Sequence, residues 1–174
     1  MKIKVVHFPI LLLFIISPIT NSNPLNYSFS IKNLEEFSPG KNFDLNSESN
    51  KQVQLIEESG ENKIIHFTKK YGLSSLDVYL HLQNNLIDQT FVRFPQHLLH
   101  DFILDELQKT YLKQQRFQRF NKTGIYRWEN VLTFHLQYEA HCSITCFPLY
   151  LWWGRASSNS LGMMEKMKAH MKKN

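Results

Sequence analysis

The chain has 174 residues, 43% of them hydrophobic, and a formal net charge of +5. That charge is uneven: residues 23 to 154 hold 13 basic against 14 acidic side chains, and residues 155 to 174 hold five basic residues against Glu165. The body is therefore neutral, which excludes the basic footprint of a nucleic-acid binder, and the length suits one domain with a real core.

The chain opens on Met1-Lys2-Ile3-Lys4, followed by an apolar run from Val5 to Ile19 broken by Pro9 and Pro18. A basic start, a short apolar core and Thr20-Asn21-Ser22 read as a cleavable secretory signal over residues 1–22, which makes the protein exported, periplasmic or secreted. A membrane span needs about 20 apolar residues, and Phe147 to Trp153 is far too short to supply one.

Residues 23–50 are rich in Asn and Ser and lack periodicity, so they are expected as an irregular lead-in to a single domain over residues 51–156. Lys51 to Glu58 alternates as a half-buried strand does. Glu61 to Tyr71 is predicted as a short helix closed by Gly72. Leu76–Gln83 and Leu86–Phe94 then form a hairpin across Asn84-Asn85, residues that tolerate the positive φ of a tight turn.

His97 to Leu112 carries Leu98, Leu99, Phe102, Ile103, Leu107 and Tyr111 as one apolar stripe and is the strongest helix in the sequence. A polar, basic link from Lys113 to Gly124 follows. Strands are then expected at Ile125–Trp128, Val131–Ala140 and Phe147–Trp153. Residues 157–174 form a linker and a basic amphipathic helix with Met163, Met164, Met167 and Met171 along one side. The fold class this predicts is α+β: an antiparallel sheet with two helices packed on one face. The repeated order of helix, Tyr-containing end and hairpin suggests a duplicated helix-hairpin unit.

Lys69-Lys70-Tyr71-Gly72-Leu73-Ser74-Ser75 and Ile125-Tyr126-Arg127-Trp128 carry a resemblance. A chain turning at Tyr-Gly into a hairpin with an aromatic first strand resembles the exported modules of the β-lactamase-inhibitor-protein type and the small SmpA/OmlA outer-membrane assembly lipoproteins. Those families bind other proteins, and the resemblance implies the same here. It departs from them in having Leu73-Ser74 where a proline usually follows Tyr-Gly, and in lacking a lipid-attachment cysteine.

Cys142 and Cys146 are the two cysteines, and an oxidising compartment pairs them. In a continuous strand their Cα atoms would lie about 13 Å apart, so pairing requires a tight loop or a helical turn. His141-Cys142 makes a poor nucleophile and base, because strand neighbours point to opposite faces and the thiol has a partner four residues on. The serines form no Gly-x-Ser-x-Gly elbow and the six glycines no phosphate-binding loop, so no catalytic residue and no cofactor is assigned.

His97, His100 and Asp101 share a helical side, and His66, His81, His135 and His141 add ligands from elsewhere, in no established zinc spacing. No metal is assigned on them. Asn26-Tyr27-Ser28 and Asn121-Lys122-Thr123 match the N-glycosylation pattern. Tyr126, Trp128, Tyr150, Trp152 and Trp153 concentrate aromatic area late in the chain and form the candidate binding face. The function read from these residues is an exported, non-catalytic protein that binds another envelope or extracellular macromolecule. The partner is expected to be a protein, with weak membrane-surface contact through the C-terminal helix. The alternative is a metal-handling or thiol-redox protein built on the histidines and Cys142/Cys146.

Overall fold

A computed structural model describes residues 29–45, 52–131, 133–155 and 160–171. The signal over residues 1–22 lies outside them. In chain order the elements are a 3-10 helix at Ile31–Phe37, β1 (Gln54–Ser59), β2 (Asn62–Tyr71), β3 (Ser74–Gln83), β4 (Leu86–Phe94), α1 (His100–Tyr111), β5 (Arg116–Phe120), β6 (Thr123–Val131), β7 (Phe134–Cys142), β8 (Cys146–Arg155) and α2 (Ser160–Met171).

The strands make one 8-stranded sheet in the order β1-β2-β3-β4-β8-β7-β6-β5. Every neighbouring pair is antiparallel, so two four-stranded meanders meet where β4 lies against β8. This overturns the α+β expectation: the fold is predominantly β. The helix predicted over Glu61–Tyr71 is strand β2, so the duplicated helix-hairpin unit does not exist. Nor do the two helices share a face.

Successive strand side chains point to opposite faces, and here both faces of the central strands are covered. On one face Ile65, Val78, Leu80, Val92, Leu151 and Trp153 pack with Leu98 and with Ile103 and Leu107 of α1. On the other Ile64, Tyr79, Phe91 and Trp152 pack with Met163, Met164 and Met167 of α2. The methionine stripe of the C-terminal helix is thus buried against the protein's own sheet. Two ion pairs, Lys166 with Glu57 at 3.2 Å and Lys168 with Glu139, hold α2 there.

Residues 29–45 pack into the first face instead of remaining an irregular lead-in. Phe29, Ile31, Leu34, Phe37 and Phe43 are buried in that core. The Tyr71 hydroxyl reaches back to the 3-10 helix, 2.9 Å from the Asn33 carbonyl oxygen. The Asn84-Asn85 turn is as predicted, with φ of 54° and 61°, the double positive φ that a two-residue hairpin loop requires. Gly154 answers to a different demand: a Cβ there would meet the Trp152 ring at 2.4 Å, so the glycine makes room for that ring.

Candidate functional site

The five aromatic residues proposed as one binding face stand on both faces of the sheet. Tyr126, Trp128 and Trp153 belong to the α1 side, and Tyr150 and Trp152 to the α2 side. All three tryptophans are buried. The Trp128 indole N–H donates to the Leu112 carbonyl oxygen at 2.8 Å, fixing the end of α1. The Trp152 indole N–H donates to Gln89 Oε1 at 3.0 Å. Their area is covered by the protein's own helices.

The histidines are likewise separated. His97 precedes α1, with Nε2 3.0 Å from the Ser74 hydroxyl. His100 lies between two tyrosines: Nδ1 is 3.0 Å from the Tyr138 hydroxyl, and Nε2 is 3.4 Å from that of Tyr126. Burial holds the His100 imidazole below the ordinary histidine range and pushes both phenols up, so all three groups are neutral near pH 7. His81 pairs with Asp88 at 3.1 Å and His141 with Thr123 at 3.0 Å. His66 stacks on Tyr79, its Nε2 3.7 Å from Asp77 Oδ1, which is ion-pair range and beyond a hydrogen bond. That histidine, with Arg93 behind it, holds the Asp77 carboxyl below the usual range. Among the described residues no three His, Cys, Asp or Glu side chains gather where one ion could bind.

Cys142 and Cys146 are joined by a disulfide, with their Cα atoms 3.8 Å apart. They face each other across the β7–β8 hairpin, so the tight loop inferred from spacing is what the chain adopts. No helix among the described residues is long and apolar enough to cross a membrane.

Comparison with family models, with curated proteins and with solved structures finds no match to this chain. Any functional reading therefore rests on its own surfaces.

Two surfaces stand out, neither of them marked by the aromatic pattern. One is a cavity of about 210 Å³ beneath α2, lined by Ile64, His81, Gln89, Gly162, Met163 and Lys166. Its polar floor residues already have partners, since Gln89 accepts from Trp152 and His81 faces Asp88. The other is β5, read from sequence as part of a polar link. All five of its residues are exposed, and among the described residues its outer edge pairs with no strand. Phe117 is 52% exposed while its ring lies 4.8 Å from that of Tyr126.

Charge sets this edge apart. Between Lys113 and Arg127 the chain carries Lys113, Arg116, Arg119, Lys122 and Arg127 and no carboxylate. Two of these are tied: Arg116 Nε lies 2.9 Å from Glu129 Oε1, and Arg127 donates to Gln137 Oε1 at 2.7 Å and to Gln118 Oε1 at 3.3 Å. The opposite edge, β1, carries Glu57 and Glu58. The signal that could have found β5 is its turn: Asn121-Lys122 separates Phe120 from Thr123, which pair directly, and Asn121 has φ of 52°.

Proposed function

We propose that this is an exported, non-catalytic protein that binds another envelope or extracellular protein, and that β5 is where the partner adds a strand. The observation that carries the reading is the open, fully exposed edge of Arg116–Phe120. Main-chain donors and acceptors on such an edge are a template for an extended peptide, and natural sheets usually cover or blunt it. The cations along it select an acidic segment, and Phe117 supplies the apolar anchor. Export is supported by the signal-like start, and the Cys142–Cys146 bond is compatible with an oxidising compartment.

The test places a photo-crosslinking residue at Gln118 in one version and at Leu55, on the other sheet edge, in a second, each incubated with envelope extract. A discrete adduct at position 118, absent at 55 and lost in Arg116→Glu/Arg119→Glu, is the expected result. The reading fails if both positions give the same adducts or position 118 gives none.

A further inference from the structure

Antiparallel pairing brings four connections to one end of the sheet: the β2–β3 turn, the segment from Pro95 to Leu99, the β5–β6 turn and the β7–β8 loop. Three of these connections, and Phe120 at the end of β5, each present one large apolar side chain to solvent. Leu73 is 71% exposed, Leu99 58%, Phe120 72% and Ile144 101%. Scattered single hydrophobes are ordinary on a protein surface. These four share one end of the sheet.

We propose that this end of the sheet contacts the surface of an anionic lipid bilayer, with these side chains entering the interface and lysine and arginine engaging the headgroups. Placement favours a fluid over a protein: the four residues stand on four separate segments spread from the β2–β3 turn to the end of β5. A rigid partner would need a matching pocket for each, whereas an interface accepts apolar projections individually. Charge favours anionic lipid. Lys122 sits in the β5–β6 turn, and Lys70 and Arg119 stand exposed on the strands leading to this end. Asp101 in the first turn of α1 opposes them, and Glu36 is engaged by Lys69 and Tyr71. Cations near such a surface add attraction that salt screens.

The β7–β8 loop is the best prepared of the four. The Cys142–Cys146 bond closes it and the Ser143 amide donates to the Thr145 carbonyl oxygen, so Ile144 is held outward with little ordering left to lose. The C-terminal helix, by contrast, has its methionines buried on the sheet. Membrane contact thus moves from the tail to the loop end; it shares Arg119 and Phe120 with β5, while Leu73, Leu99 and Ile144 lie outside that strand.

The experiment is co-sedimentation of the full chain with vesicles of phosphatidylcholine alone or containing phosphatidylglycerol, at low and high salt. Ile144→Asp and Leu73→Asp both lie outside β5, so they leave the proposed strand-addition edge intact. Leu112→Asp is the control, since Leu112 is equally exposed, at 77%, but follows α1 at the opposite end. Binding is expected for the phosphatidylglycerol vesicles, weakened by salt. It should fall about tenfold, equivalent to about 1.4 kcal/mol, in each of the first two variants and stay unchanged in the control. Ile144→Trp should bind at least as well as the natural chain and report entry by a blue-shifted emission. The proposal is overturned if the natural chain sediments with neither vesicle, if Ile144→Asp binds like the natural chain, or if the three aspartate variants lose binding equally. Loss of self-association in the absence of vesicles, with vesicle binding intact, would assign the same end to a second copy and also overturn it.

Discussion

Replacing Tyr138 by Phe deletes one oxygen from a ring that is 0% exposed, leaving its volume in place. That hydroxyl is the partner of His100 Nδ1 at 3.0 Å, and the two rings stack with centroids 5.6 Å apart and planes within 8°. The variant leaves a half-buried imidazole nitrogen without its partner, which costs about 1–3 kcal/mol. For a chain of this size about 2 kcal/mol lowers the melting temperature by about 4–8 °C. His100→Leu combined with Tyr138→Phe removes both ends of the contact, so the double variant should cost less than the sum of the singles by at least about 0.5 kcal/mol. The same pair has a pH signature. Burial depresses the His100 pKa in the folded state, so as pH falls the unfolded chain takes up the proton first. The stability is therefore fully present above about pH 6.5 and is lost below it. Asp77, whose folded pKa is also lowered, produces its loss near and below about pH 4, in a separate window. Urea unfolding followed by tryptophan emission at pH 7.5 and pH 5.5 reads the His100 contribution, and a third series near pH 3.5 reads that of Asp77. Additive single variants, or a His100→Leu protein with the same loss between pH 7.5 and pH 5.5 as the natural chain, would refute the account.

Denatured, unreduced protein should show no titratable thiol, and Cys142→Ser/Cys146→Ser should lose about 2 kcal/mol, the loop-closure value for five residues; two free thiols would overturn the pairing. Gly154→Ala should destabilise by about 1–3 kcal/mol and shift the near-ultraviolet circular dichroism of Trp152, because the ring must leave its place beneath α2; an unchanged melting temperature and spectrum would show that the ring is not confined there.

The elements marked by a turn of obvious residues or by a continuous apolar stripe were legible. The β3–β4 hairpin, α1 and the cysteine loop lie close to their predicted places. β2 was misread because Ile64 and Ile65 are buried on opposite faces and Phe67 follows two residues on. A strand covered on both sides has no alternation, and its apolar spacing then imitates a helix. Ile31, Leu34 and Phe37 were passed over for a related reason. Their three-residue interval is the 3-10 period, which neither the α nor the β template detects. β5 carried no burial signal at all, since an exposed edge strand has no inward face. The aromatic cluster was visible as composition; alternation along the predicted strand already sends Trp152 and Trp153 to opposite faces, but sequence did not say that both faces are covered.

β8 sends Leu149, Leu151 and Trp153 to one side and Tyr150 and Trp152 to the other. A one-residue slip would exchange two apolar sets, so polarity alone gives this strand little means of telling right from wrong. It is also the strand that joins the second meander to β4. The Cys142–Cys146 bond closes the loop end of β7 and β8, but a one-residue register shift separates it from the Ala140–Leu149 pair, so the alignment at the centre of the sheet is left to the fit of side chains on the two faces.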